Sequence, residues 1–142
     1  MSDAQGVAQA RLAVERMLRD DEFTRWLGAS VVSVEPGRCT LEMTVRPEMI
    51  NGFGLCHGGV IYSLADSALA FASNSRGRIA VSIDTSLSIP ASAAEGDTIR
   101  AVAHEIDRGE KIGHYSVSVM KSNGELVGLF KGTVYVTTKP VV

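Results

Sequence analysis

The segment from His57 to Asn74 constrains the fold of this chain more than any other. It contains no proline and no glycine after Gly59, and apolar residues recur in it at intervals of three and four, which predicts one long helix. The apolar stripe consists of Ile61, Leu64, Ala65, Ala68, Phe71 and Ala72. After His57, the only ionisable side chains in the segment are Tyr62 and Asp66. Because a helix face in water normally carries several Lys and Glu, we expect both faces to be covered.

Asp66 is the one acid on this helix. At about 100° per residue it projects almost opposite the centre of the stripe, on a second face that also carries Tyr62, Ser63, Ala70 and Ser73. Lone carboxylates are rarely buried unless they are paired or functional, so we interpret Asp66 as a candidate catalytic group. The alternative is a structural hydrogen bond made by the same carboxylate.

The start of the helix carries a second candidate group. At His57, Gly58 and Gly59 the first backbone NH groups have no carbonyl four residues back, and the helix dipole is positive there. Glycine lets a ligand approach the bare backbone, so the NH of Gly58 is a candidate oxyanion hole for a carbonyl oxygen. The glycine pair is also consistent with tight packing of a loop against a sheet.

The two candidate groups are too far apart to act together in one chain. Eight residues separate Gly58 from Asp66, which corresponds to roughly 12 Å along a helix axis. Two copies of the helix packed antiparallel about a twofold axis would bring Gly58 of one beside Asp66 of the other. The same arrangement would cover the uncharged second face.

The rest of the chain predicts one more long helix and a sheet. Helical spacing of Val7, Ala10, Val14, Met17 and Leu18 predicts a leading helix over about 3–20. Alternation on either side of Pro36-Gly37 predicts a hairpin. A run from Ile79 to Ile89 at near-perfect period two predicts a strand, and three further strands are predicted over 98–107, 111–121 and 125–137. We therefore expect an α+β fold in which a curved antiparallel sheet of about six strands wraps the central helix.

Composition narrows the class of protein. The 142 residues, 45% hydrophobic, fit one domain over 1–142 with a core from about 29 to 138. The formal net charge of -2 predicts no nucleic-acid partner and no membrane-binding patch. The first ten residues do not resemble a signal peptide, so we expect a cytoplasmic protein. The three histidines lack metal-site spacing, so no metal is predicted.

At this point a family resemblance can be stated. The chain reads ING, then CHGG, then SLADSALAFASNS, and this resembles the hotdog-fold thioesterases of the phenylacetic acid degradation type. The resemblance covers most of the chain and implies the hotdog fold. It also implies an acyl-CoA thioesterase for (hydroxy)phenylacetyl-CoA or other small to medium acyl-CoAs, with two sites at the boundary of a homodimer that pairs into a dimer of dimers. No cofactor is implied beyond the CoA of the substrate.

The resemblance also implies roles for individual residues. The carbonyl oxygen would be held by the NH of Gly58, while Asp66 of the other subunit would act as general base or as nucleophile. Asn51 would orient water or the thioester, His57 would support the loop, and Ser67 would hold the attacking water. From the residues themselves, the candidates for substrate binding are Gly59 and, for the CoA phosphates, Arg108 and Lys111, which flank a tight turn. The alternative is that these two charges are only solvated.

Three other functions are compatible with the sequence. A hotdog hydratase or dehydratase carries an Asp about five residues before its His, where this chain has Gly52. A non-catalytic acyl-CoA-binding module would use the same pocket without releasing CoA. A structural dimerisation domain would give no reason for an isolated carboxylate on the helix face.

Overall fold

The structure, a computed structural model, describes residues 2–142. Its helices are α1 (Asp3–Asp20), α2 (Glu22–Leu27) and α3 (Gly58–Asn74), with a short 3-10 turn at Pro47–Met49. Its strands are β1 (Ser30–Glu35), β2 (Arg38–Thr44), β3 (Arg78–Ser88), β4 (Thr98–Arg108), β5 (Ile112–Lys121) and β6 (Leu126–Pro140).

The six strands form one antiparallel sheet in the order β1-β2-β4-β5-β6-β3. Neighbouring pairs β4-β5 and β5-β6 are hairpins, whereas β3 crosses over to pair with β6 and lies at the edge of the sheet. The helix α3 contacts every strand, because the sheet curves around it. This is the α+β architecture that the sequence predicts, and that prediction is confirmed.

The apolar stripe of α3 is buried against the concave face of the sheet, as predicted from its spacing. Two glycines of β6 set how closely the helix approaches. A Cβ at Gly128 would lie 2.7 Å from Cγ2 of Ile61, and a Cβ at Gly132 would lie 2.6 Å from Cδ2 of Leu69. Any larger residue at these positions would therefore push against the helix.

The second face of α3 is only partly covered within one chain. Side chains along most of it remain partly exposed, namely Tyr62, Ser63, Asp66 and Ala70. Ser73, which the helical projection placed on the same face, is instead buried at 1% exposure. At this end of the helix Arg108 donates a hydrogen bond to the Ser73 carbonyl at 2.7 Å, and the Ser73 hydroxyl donates to the Ala70 carbonyl.

Strand β3 differs from the alternation expected for it. A strict period of two would place Val81 and Leu87 on one face. Val81 instead lies opposite exposed Tyr135, and Leu87 lies opposite buried Phe130. The register shifts between Ser82 and Asp84, so the extra residue moves the later side chains to the other face. Val81 is consequently 50% exposed at the edge of the sheet.

The amino-terminal helices complete the fold. Helix α1 covers the range expected for the leading helix, and Ser2 and Gln5 form a capping box at its start. Helix α2 ends at Gly28, which adopts a left-handed conformation with φ of 78°. Among the helices in the described part of the chain, none has the length and hydrophobicity needed to cross a lipid bilayer.

Candidate functional site

The start of α3 presents a free backbone donor. His57 is the N-cap residue, and its Nδ1 accepts a hydrogen bond from the Gly59 NH at 2.8 Å. Its carbonyl accepts the NH of Val60 at 2.9 Å. The NH of Gly58 has no acceptor anywhere in residues 2–142, and it points from the positive end of the helix dipole. Of the two glycines, Gly58 is therefore the one whose NH can bind a carbonyl oxygen.

The loop before α3 is held by side-chain and backbone hydrogen bonds. The Oδ1 of Asn51 accepts hydrogen bonds from the NH groups of Phe53 at 2.9 Å and Leu55 at 3.1 Å. The His57 NH donates to the carbonyl of Met49 at 2.8 Å. Asn51 thus shapes the turn that leads to the helix, which is the turn-forming alternative for an Asn-Gly sequence. Its Nδ2 group makes no hydrogen bond among the residues that the structure describes.

Asp66 is half-buried and has no partner in the described part of the chain. Its carboxylate takes part in no ion pair, and no hydrogen bond to it is found there. Burial raises the pKa of Asp66 above that of an ordinary aspartate, because desolvation disfavours the charged form. A structural hydrogen bond, the alternative reading of this residue, is therefore not observed within the chain.

The carboxylate of Asp66 opens into a cavity of about 500 Å³ between α3, α1 and the edge strand β3. Arg16 of α1 reaches the cavity, although its Nη1 is paired with Asp20 at 2.7 Å. Ser82 of β3 also lines it, with an exposed side chain that forms no hydrogen bond among residues 2–142. Ser82 thus brings a hydroxyl without a hydrogen-bond partner in residues 2–142 to the cavity that Asp66 lines.

The sequence did not point to Ser82, and the residue expected to hold the attacking water was Ser67. One residue along a helix turns the side chain by about 100°, so Ser67 points away from Asp66. Its hydroxyl is buried and forms a hydrogen bond with Thr24 Oγ1 of α2 at 2.8 Å. Nothing in the sequence marks Ser82, because it lies between two apolar residues of a strand whose register shift is not visible locally.

The two residues considered for the CoA phosphates lie at the far end of α3 from Gly58. Nη1 of Arg108 donates to the Ser73 carbonyl and also to the Tyr115 hydroxyl at 2.9 Å. Lys111 is exposed in the turn between β4 and β5. Arg108 is therefore occupied in closing the carboxyl end of the helix, and the structure does not bring it together with the other site residues.

No metal centre accompanies these groups. Within residues 2–142, no three His, Cys, Asp or Glu side chains are arranged to hold a metal ion. The buried Cys56, which precedes His57, is held as a thiol, since burial raises its pKa and the negative charge of Asp97 raises it further.

The geometry of α3 keeps the two groups apart. The helix is continuous from Gly58 to Asn74, so the spacing of roughly 12 Å between Gly58 and Asp66 that helical rise predicts is retained. A carbonyl bound at the Gly58 NH would not reach the Asp66 carboxylate of the same chain. Within one chain, therefore, the two groups do not meet at a single carbonyl.

Comparison with known proteins shows the family. The model of the Thioesterase superfamily matches residues 53–128. The acyl-coenzyme A thioesterase PaaI of Escherichia coli strain K12 is 34% identical over 116 residues, which is 82% of this chain and 83% of that protein. The solved structure of the E. coli PaaI protein, from the phenylacetic acid degradation operon, superposes with a TM-score of 0.93 at 30% identity, covering 95% of this chain and 98% of that one.

A further solved structure carries a ligand. A Streptococcus mutans UA159 protein bound to acetyl CoA superposes with a TM-score of 0.76 at 28% identity, covering 79% of this chain and 90% of that one. The predicted hotdog fold and the predicted class of enzyme are thereby confirmed. The chain belongs to the thioesterase superfamily.

Proposed function

We propose that this enzyme hydrolyses acyl-CoA thioesters to the free acid and CoA, with (hydroxy)phenylacetyl or other small to medium acyl groups. The observation that carries the proposal is the half-buried, unpartnered Asp66 two helical turns from the free NH of Gly58. The similarity to PaaI supports the substrate class, and so does the acetyl CoA held by the S. mutans relative. The enzyme needs no cofactor beyond the CoA of its substrate.

The thioester carbonyl oxygen accepts a hydrogen bond from the Gly58 NH, whose donor strength matters most when negative charge develops on that oxygen. Asp66 acts on the carbonyl carbon in one of two ways. As a general base it takes a proton from water as the water attacks, the carbon–sulfur bond breaks, and the proton passes to the CoA sulfur. As a nucleophile it attacks the carbonyl carbon and expels CoA as the thiolate, and water then hydrolyses the resulting mixed anhydride to the free acid and the regenerated Asp66 carboxylate.

Ser82 replaces Ser67 in the proposed site. Its free hydroxyl lines the cavity that receives Asp66, so it can hold the attacking water. His57 fixes the first turn of α3 through its hydrogen bond to Gly59. Asn51 shapes the loop through Oδ1, and its remaining NH2 group can donate to the thioester or to water.

A homodimer completes the site by placing Asp66 of one subunit beside Gly58 of the other. The open face of α3 and the edge strand β3 are adjacent, and together they offer a continuous surface for a second copy. Val81 and Ile83 of β3 are 50% and 58% exposed, and the strand has no partner on its outer edge within residues 2–142. Long edge strands with exposed apolar residues are usually covered in native proteins. The dimer of dimers, and the extent of a single domain over 1–142, remain predictions.

Mixed dimers test the shared site. Asp66→Asn removes the acid, and Gly58→Val is designed to crowd the approach to the Gly58 NH, where even a Cβ would lie 2.9 Å from Ile89 Cδ1. A dimer of one chain of each kind, purified by two different tags, contains one intact site. We expect both parent dimers to be nearly inactive and the mixed dimer to have about half the wild-type rate.

Controls make this experiment decisive. Asn51→Ala with Asp66→Asn forms a second pair in which the glycine is unchanged. A mixed dimer in which one chain carries Glu110→Gln, a change at an exposed turn residue, shows how much the two tags alone affect the rate. Inactive mixed dimers in both pairs, with chains that are folded and demonstrably paired, would refute the shared site.

The reaction itself is tested by release of free CoA. Phenylacetyl-CoA incubated with the enzyme and a thiol reagent gives a colour change only if the thioester is split. A non-catalytic acyl-CoA-binding module would bind the compound without releasing thiol. A hydratase would change the absorbance of an enoyl-CoA and leave the thioester intact.

A further inference from the structure

The groove between α3 and the edge strand β3 is crossed at its centre by a side-chain bridge. At one end of the groove, Ile89 lies against the Cα of Gly58. At the other end, Asp66 and Ser82 share the cavity already described. One helical turn from each of Gly58 and Asp66 stands Tyr62, whose hydroxyl forms a hydrogen bond with Thr85 Oγ1 of β3. The bridge therefore lies midway between the two groups of the site.

Tyr62 is fixed at both of its ends. Its ring packs edge-on against Phe130 of β6, with ring centroids 5.3 Å apart and planes at 73°. Its hydroxyl is held by Thr85, so the ring cannot rotate freely. The side chain is still 37% exposed and belongs to the face of α3 opposite the buried stripe. The Tyr62 ring, fixed by Phe130 and Thr85, therefore forms a rigid barrier across the groove, and we call it the wall.

Resting on the proposed function, we propose that the Tyr62–Thr85 bridge closes the acyl pocket and limits the length of the acyl group. With the carbonyl oxygen at the Gly58 NH, an acyl group running along α3 meets Tyr62 after one turn, roughly 6 Å along the axis. The opposite direction leads past exposed His57 to the protein surface, and this direction suits the CoA moiety.

The chemistry of the wall favours short or aromatic acyl groups. An aryl ring that ends at Tyr62 contacts its ring edge and finds two hydroxyls at the far end. A long alkyl chain would have to displace the Tyr62 ring or separate the two hydroxyls, which breaks the hydrogen bond between them. The bridge is thus expected to discriminate by length and to tolerate a hydroxyl on a ring.

Three variants test the wall. Tyr62→Ala removes it, Tyr62→Phe removes only the hydroxyl, and Thr85→Val removes only its partner. The measurement is kcat/KM for acetyl-, phenylacetyl-, hexanoyl- and decanoyl-CoA. For Tyr62→Ala we expect the ratio of decanoyl to phenylacetyl to rise by about tenfold or more, as pocket contacts of this size allow. For the other two variants a smaller rise in the same ratio is expected.

Tyr135→Ala is the matched control, because Tyr135 is a similarly exposed tyrosine on the outer face of β6, away from the groove. It should leave the ratio unchanged. A ratio for Tyr62→Ala within about twofold of wild type would overturn the proposal, since a wall that does nothing to selectivity is only a packing residue.

A binding measurement separates this proposal from the proposed function. Dissociation constants for the same four acyl-CoAs are measured with Asp66→Asn and with the double variant Asp66→Asn/Tyr62→Ala. If wild type hydrolyses none of the four compounds, the proposed reaction fails. The proposal for Tyr62 is then supported if the double variant shifts binding toward decanoyl-CoA, and it is overturned if the double variant does not.

Discussion

Replacing Asp66 with asparagine should remove activity while leaving the fold at least as stable. The side chain keeps its size and loses only its charge and basicity. A positioned general base contributes about 10² to 10⁴ in rate, which corresponds to about 2.7 to 5.4 kcal/mol of transition-state stabilisation. We therefore expect kcat for phenylacetyl-CoA to fall by about 10² or more, measured as free CoA released.

The pH dependence follows from the desolvation of Asp66. Because burial raises its pKa, the acid limb of the kcat/KM profile should lie above the ordinary aspartate value of about 3.9. A pKa raised in the folded state means that the folded protein tolerates the protonated carboxyl better than the charged one. The free energy of unfolding is therefore highest below the unfolded pKa and decreases as pH rises through the folded pKa. At pH 7 the charge on Asp66 is consequently a cost, and Asp66→Asn should have an equal or higher Tm than wild type. The difference should shrink as pH falls through the raised pKa of Asp66 and vanish below the unfolded value of about 3.9.

Glu110→Gln is the control for this experiment, as an exposed carboxylate with no ion pair among residues 2–142. It should change neither rate nor Tm. A variant Asp66→Asn that keeps the wild-type rate would refute the catalytic role. A marked loss of Tm at pH 7 would show instead that the carboxylate is held by favourable contacts, contrary to its unpartnered position.

Three further predictions concern residues near the site. Ser82→Ala should lower kcat by about tenfold if its hydroxyl positions water. Ser67→Ala should leave kcat unchanged. It should lower the free energy of unfolding in urea by about 1 kcal/mol, because the hydrogen bond to Thr24 is lost. Arg108→Ala should destabilise the protein by about 1 to 3 kcal/mol, since a buried carbonyl loses its partner, with little change in KM for acyl-CoA. His57→Ala should cost about 1 kcal/mol and lower kcat, and His57→Asn should restore stability by restoring a cap acceptor.

The helices and strands could be predicted because their signals are local. The spacing of apolar residues marks α3 within one residue of its start, and tight turns such as Asn123-Gly124 mark the hairpins. The pairing of β3 with β6 could not be predicted, because it depends on contacts between residues far apart in the chain. That pairing is what places β3 at the edge and brings Ser82 to the cavity of Asp66.

The placement of the candidate residues could be predicted where backbone geometry decides it and less so where side-chain partners do. Gly58 and Asp66 follow from their positions on one helix. The surroundings of Ser67 and Arg108 do not, because Thr24 lies 43 residues from Ser67 and Ser73 lies 35 residues from Arg108. Such partners are chosen by the folded arrangement of α2, α3 and β4, and no pattern within a short window of sequence reports them.

Gly128 and Gly132 make the position of both candidate groups depend on residues that touch neither of them. Since α3 carries Gly58 at its tip and Asp66 at its middle, lifting the helix off the sheet by even the width of a methyl group would displace both at once. Substitution of either glycine by alanine would therefore change the turnover rate without altering any residue of the candidate site. If randomly mutated variants are selected for a changed rate rather than for folding, substitutions in β6 should be recovered as well as substitutions in the site.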